Sequence, residues 1–400
     1  MFHLHYVFDY QFKSQPILLA IKSQGNKYVK KSKSDLSDIV SQDNPTHKDD
    51  DKMLSYAATE LDVMSGLSFM VTWNVCMSTF TRGQSIRQAT LRQLKIDYGH
   101  GPFCEDDVKL TRPTIISKLL LPQGTKKTAN RIGERTYEQG MWPHKFFLRS
   151  PELMIAAILA YQLRRTSSVD FSFKAPDDDE HPHVGYWKLF SLVSWGKLTG
   201  QADIFQKVFK ACDVSWRKTT HVRSAAIERA TFYGQLAEAD VAVVSNHGNR
   251  SSSFDRYETS FPKQVLAVCA GFKHGEQYFV PAEFAEIPCS VLDDPTECAK
   301  IVFGGEYDRW CSERNSDNGD KGTDAEHFLL EVIPFFAQKH LLYGYNWLKE
   351  FQGHDVSMDL RTMQIPGFAS YASFADEMER KVNQVTADVL PRTASAGTNM

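Results

Sequence analysis

Read for its apolar positions, the chain turns helical at about Lys52, where Leu54, Ala58, Leu61 and Met64 recur every three or four residues until Gly66 interrupts them. The next stretch, SGLSFMVTWNVCMSTF (65–80), is apolar on nearly every face and predicts a helix buried on all sides. It delivers Thr81-Arg82-Gly83. QSIRQATLRQLKIDYG (84–99) then reads as a second helix, with Ile86, Leu91 and Leu94 inward and Arg87 and Arg92 outward. PTIISKLLL (113–121) has the character of a strand and runs through Pro122-Gln123-Gly124 into a basic, polar hairpin, TKKTANRIGERTYEQ. WPHKFFLRSPELMIAAILAYQLRR returns to a helical stripe of Ile155, Leu159 and Leu163, closed by Arg164 and Arg165 where the helix dipole favours cations.

Beyond a loop (168–183), helices are predicted over 186–196 and 201–212, the second with Ile204, Val208 and Phe209 inward and Lys207 and Lys210 outward. An Ala-rich helix follows KTTH. A further one ends in Asn246-His247-Gly248, and KQVLAVCAGF makes a short apolar helix closed by Gly271. After an acidic loop, HFLLEVIPFFAQKHLLYGYNWLKEF predicts a long helix kinked at Pro334, its stripe of Leu330, Phe335, Leu342 and Trp347 serving as core or as a dimer face. The pattern as a whole predicts a mainly α protein with a small β-sheet or hairpin. It divides into an N-terminal arm or clamp remnant (1–60), a central domain (61–275), a C-terminal helical region (276–390) and a disordered tail (391–400).

Composition changes this picture in one respect, the placement of charge. The 400 residues carry a net charge of −3, so no uniform nucleic-acid coat is implied. Residues 118–135 and 207–229 each reach +4, whereas 291–330 reach −6, and such segregation allows a local basic face to attract phosphate. The seven cysteines form no CxxC pair, which argues against a zinc site or disulfide framework and for an intracellular protein. Asp177 to Glu180, near His181 and His183, read as a solvated loop tip, so no metal is expected. No phosphate-binding Gly-rich loop suggests a nucleotide cofactor, and no cofactor of any kind is expected. No apolar run suits a membrane.

The densest chemistry lies in Trp216–Pro262, which joins a basic turn, His221 and Arg223 at the start of the Ala-rich helix, then His247 and Tyr257. Arginine forks, histidines and a lone tyrosine are the groups that phosphodiester chemistry by a tyrosine nucleophile requires. The order KTTHVRSAAIERATFYG, then YETSFPKQVLAVCAGF, resembles the Crypton type of tyrosine recombinase and its relative, the DNA-binding domain of fungal centromere-binding kinetochore subunits. That resemblance implies a recombinase catalytic-domain-like fold and a site of Arg82, a hairpin lysine (Lys126 or Lys127), His221, Arg223, His247 and Tyr257. One residue, Val222, separates His221 from Arg223, where the family pattern has two; either His221 sits in the turn and only Arg223 is helical, or the catalytic geometry has decayed. Phosphate contacts are expected from Lys118, Arg131, Arg135, Lys207, Lys210, Arg217, Lys218 and Arg229. The expected function is binding of duplex DNA in the nucleus, with self-association. The alternatives are an active recombinase of a mobile element, which would form a 3′-phosphotyrosyl link, and a helical interaction protein without DNA.

Overall fold

The computed structural model describes residues 45–81, 83–97, 116–122, 136–166, 199–215, 220–237, 241, 263–276, 278–316 and 326–396. All of them belong to one unit, Pro45–Met400. The described fold is mainly α, with one three-stranded antiparallel sheet whose strands lie side by side in chain order.

Helix α1 (His47–Glu60) starts on a capping box in which the Thr46 hydroxyl accepts from the Asp49 N–H and the Asp49 carboxylate accepts from the Thr46 N–H. The sequence places these residues in an arm, yet Met53, Leu54, Ala57 and Ala58 are buried against α2 (Val63–Thr79). Helix α2 is the axis of this half. From Gly66 to Thr79 every residue but Met77 is buried, as its all-round apolar sequence predicts. It ends at Phe80 in a left-handed conformation (φ 51°), a costly geometry for a bulky side chain. The turn is held from both sides, because the Thr79 hydroxyl bonds the Val75 carbonyl at 2.6 Å and the Thr81 hydroxyl at 2.9 Å.

The helix expected over 84–99 stops early. Helix α3 covers only Gly83–Gln88, and after a 3-10 turn (Leu91–Gln93) the chain becomes β1 (Leu94–Asp97). A capping box, with the Gln93 side chain accepting from the Thr90 N–H, opens that 3-10 turn. The unpaired edge of β2 (Ile116–Pro122) then takes Leu94–Asp97 as a partner in the register Leu94↔Leu119. β2 also pairs with β3 (Thr136–Met141), forming the expected hairpin.

Helix α4 (Pro151–Arg165) carries Ile155, Leu159 and Leu163 inward as predicted and touches both halves of the molecule. Helix α5 (Thr199–Ala211) packs on α1 and α2, and α6 (Thr220–Glu228) on α2 and α3. After α6 comes a π turn (Arg229–Tyr233), and then α7 (Lys263–Cys269). In the C-terminal half, α8 (Pro295–Phe303), α11 (Asp355–Arg361) and α12 (Tyr371–Ala396) assemble around α10 (Ile333–Glu350), and α9 (Gly305–Ser316) packs on α8.

One buried cluster runs from Met53 to Val382, so the boundary expected at 275/276 is not a break in packing. At Pro334 the expected irregularity appears as a π turn (Phe328–Val332) just ahead of α10. Proline has no N–H to offer the Leu330 carbonyl, so the regular ladder fails there. The extra residue rotates Leu330 out of the stripe: it is 42% exposed, while Phe335, Leu342 and Trp347 are buried.

Candidate functional site

A cleft of about 510 Å³ opens where the first turn of α1, the end of α2, the segment before α4, the end of α6 and the residues after α7 meet. Its charged lining is Lys145, Arg149, Arg229 and Lys273 against the single carboxylate Asp50. Two of these cations anchor α1. The Arg229 guanidinium grips both oxygens of buried Asp50 and also donates to the Pro45 carbonyl. Arg149 donates from Nε (2.9 Å) and Nη2 (2.6 Å) to Asp51 and from Nη2 to the His47 carbonyl at 2.7 Å. Such planar forks suit arginine rather than lysine. The two lysines are less committed. Lys145 stands 4.0 Å from Glu276, and no carboxylate among the described residues pairs with the exposed Lys273 ammonium.

Two histidines complete the cleft, both held neutral. Burial, with Arg149 beside it, lowers His144 to about 3, and burial, with Arg229 and Arg149, lowers His47 to about 4. The His144 Nδ1 accepts from the Phe146 N–H at 2.9 Å, so its proton sits on Nε2. Arg149 Nη1 lies 2.9 Å from the His47 Nδ1, and since arginine only donates, His47 too carries its proton on Nε2.

Glycine makes two of the close approaches possible. A Cβ at Gly271 (φ +91°) would lie 2.6 Å from the His144 ring, and one at Gly234 would lie 2.3 Å from the Val268 side chain, where the end of α6 rests on α7. The Lys145 N–H to Ala270 carbonyl bond (3.0 Å) fixes the 143–146 segment beside α7, and the Tyr278 hydroxyl donates to the Pro143 carbonyl at 3.1 Å.

Of the residues expected from the sequence, Arg223 is half-buried on α6, three and seven positions before Ala226 and Ala230, which line the cleft, and so shares their face one turn away. His221 also falls within α6 rather than in a preceding turn. Both members of His-x-Arg therefore lie on one helix, two positions apart. The first alternative, a non-helical His221, is not what the fold adopts. Arg229 reaches the cleft but is bound to Asp50, so its place there is as a brace as much as a phosphate donor. Lys207 and Lys210 are exposed on α5, outside the cleft lining, and Lys118 lies on β2. Arg82, Lys126, Lys127, Arg131, Arg135, Arg217, Lys218, His247 and Tyr257 lie outside the described residues. The chain just before position 82 does reach the site, since Phe80 packs with Ala226 and Ala230 in one small buried cluster.

Sequence reasoning singled out neither Lys145, Arg149 and Lys273 nor His47. The segment HKFFLR before α4 was the available signal for the first two, but its partners lie 98 and 102 positions away in the chain.

No family model and no curated protein matches the sequence. Among solved structures the chain is similar to a mutant Flpe–DNA Holliday junction complex (12% identity, TM-score 0.44, covering 81% of this chain and 72% of that one). It is similar also to a Flpe–Holliday junction complex (12% identity, TM-score 0.44, 84% and 71%) and to an FLP recombinase–Holliday junction complex (14%, 0.38, 65% and 59%). No functional role passes to this chain from a likeness of that degree. Among the described residues no cluster of side chains suits a metal ion, and no helix is long and apolar enough to cross a membrane.

Proposed function

We propose that the cleft grips the phosphate backbone of duplex DNA, on a scaffold of the tyrosine-recombinase kind that the order of sequence motifs resembles. The observation that carries this reading is the imbalance of charge at the cleft: four cations from three separate parts of the chain line it, against Asp50 in the lining and Asp51 and Glu276 beside it. A surplus of positive charge in a concave site is what a polyanion neutralises, and release of its counterions supplies the affinity. The exposed Lys207 and Lys210, and the basic residues of 118–135 and 217–218, extend the grip in the same reading. Nuclear location and self-association belong to it as well.

A mobility-shift series with duplex DNA from low to moderate salt tests the proposal. Log affinity falls with log salt at a slope of about −0.9 per phosphate contacted; absence of binding, or binding indifferent to salt, overturns it. Strand cutting is a separate question. It requires Tyr257 to attack phosphorus while Arg82 and Arg223 neutralise the phosphorane, with His221, His247 and Lys126 or Lys127 serving the protons. A nicked suicide duplex run on a denaturing gel decides it, because an adduct formed by the wild type and lost in Tyr257→Phe is a phosphotyrosyl link. The one-residue spacing of His221 and Arg223, where the family pattern has two, favours binding without cutting.

A further inference from the structure

One large apolar side chain stands open at the mouth of the cleft. Phe146 is 53% exposed, and of the large exposed hydrophobic residues described (Phe146, Leu330 and Met358) it alone lines the cleft. Its position is not that of a loose loop. Its N–H donates to the His144 Nδ1 (2.9 Å), its carbonyl accepts from the Arg149 N–H (3.1 Å), and the neighbouring Lys145 N–H is tied to the Ala270 carbonyl. The ring is therefore presented with its backbone already ordered, and binding need not fix it. Two cations attend it, the Lys145 ammonium at 5.7 Å and the Arg149 guanidinium at 5.2 Å from the ring centre.

These features together select an occupant. An apolar protein partner would use the ring and leave the Lys145 ammonium to be desolvated beside it, whereas an acidic peptide would use that cation and leave the ring wet. A nucleotide uses both, since its base is a flat π surface and its phosphate an anion, one nucleotide's length apart. Within a closed duplex the base faces are covered by their neighbours, so only a base that has left the stack can offer one. We infer that Phe146 stacks against an unpaired base next to the phosphates held in the cleft, so that the protein prefers DNA carrying an unpaired nucleotide to a perfect duplex. This inference rests on the reading that the cleft binds DNA.

The test compares binding of the full chain to a duplex and to the same duplex with a one-nucleotide bulge, for the wild type, Phe146→Ala and Phe146→Trp. The wild type is expected to favour the bulged DNA by about fivefold or more, the equivalent of one base–aromatic stack. Phe146→Ala should bring the ratio of the two affinities to about one, and Phe146→Trp, which keeps a flat ring, should preserve it. A side chain that only braced the cleft would change both affinities together and leave the ratio alone. A wild type with no preference, or a preference that survives Phe146→Ala in protein whose melting temperature is unchanged, overturns the inference while the DNA reading stands. Failure of the wild type to bind either DNA removes the DNA reading and this inference with it.

Discussion

Lys339 and Arg229 are both cations held against carboxylates inside the fold, yet the two settings are opposite in balance. Around Lys339, in the C-terminal half, acids outnumber the base. Its ammonium lies 2.5 Å from Glu283 and 3.9 Å from fully buried Glu152, and the Tyr343 hydroxyl donates to the same Glu283 carboxylate. Burial and Glu283 together push the Tyr343 phenol well above its ordinary range, so it remains a donor at every relevant pH. The site is sealed: the Lys339 side chain is 8% exposed, and it ties α10 to α4 and to the turn Pro281–Phe284. Around Arg229 the bases outnumber the acid and the site is open. A sealed, acid-rich cluster offers an anionic ligand neither access nor attraction, whereas an open one with surplus positive charge offers both. The difference separates a fastening from a binding surface although both are built from the same kinds of ion pair.

The largest effect that can break this contrast is at the sealed site. Lys339→Met leaves two carboxylates in the interior without their cation, and stranding buried charge costs about 3–5 kcal/mol. Urea denaturation should show a loss of that size, while the protein that remains folded binds DNA as before. A loss under about 1 kcal/mol would mean that the cluster relaxes into water and is no fastening.

Acid reaches both regions through histidines and by the same sign. His144, at the cleft, is lowered to about 3 by burial and Arg149; His340, in the C-terminal half, is lowered to about 3 by burial and Arg164. In each case the unfolded chain takes up the proton first, near pH 6.5. Stability is therefore fully present above that value and falls as pH drops from 6.5 toward 3. Each histidine accounts for about 2 kcal/mol by pH 5, at about 1.4 kcal/mol per pH unit. His144→Asn, whose amide oxygen can replace Nδ1 as the acceptor from Phe146, should remove its share of the loss between pH 7 and 5 and leave the His340 share. Bound DNA sharpens the contrast, because neutralising Arg149 and Lys145 eases protonation of His144 and leaves His340 unaffected. An unaltered acid profile in His144→Asn would show that the ring is not held neutral by its site.

The parts of the fold that were legible in the sequence are those set by local pattern. The all-round apolar run 65–80 could only be a buried helix, the stripe Ile155, Leu159, Leu163 could only face a core, and Ile116–Leu121 was strand-like before any partner was known. What local pattern does not contain is competition from a distant segment. Leu94–Asp97 continues a helical stripe in sequence but pairs with β2, because an open strand edge offers more hydrogen bonds than a fraying helix end. Leu330 follows the stripe of α10 until Pro334 forces a π turn and rotates it outward. The cleft was the least legible feature. Local charge points to Arg229 as a phosphate donor, yet its carboxylate partner is Asp50, 179 positions earlier, and Lys145 and Lys273 meet only through the packing of 143–146 on α7. Charge density along the chain thus identified basic segments, and the fold decided which of their cations are already paired.

That last distinction gives the smallest effect and the most direct test of the comparison. Arg149 and Arg229 are engaged with Asp51 and Asp50, so replacing either would disturb α1 as well as any ligand, and a loss of binding could not be assigned. Lys145 and Lys273 are free of that ambiguity, having long side chains on an already ordered backbone and no short ion pair. If each contacts one phosphate, Lys145→Ala or Lys273→Ala flattens the log–log salt slope by about 0.9 and weakens binding about eightfold at 0.1 M salt, or roughly 1.2 kcal/mol. Lys207→Ala and Lys210→Ala, on the exposed face of α5 and outside the cleft, provide the counterpart. Should the α5 lysines carry the slope and the cleft lysines leave it unchanged, the DNA lies on the basic surface that the sequence suggested and the cleft serves another ligand. Should the cleft lysines carry it, surplus charge in the folded site, rather than charge density along the chain, determines where the phosphates sit.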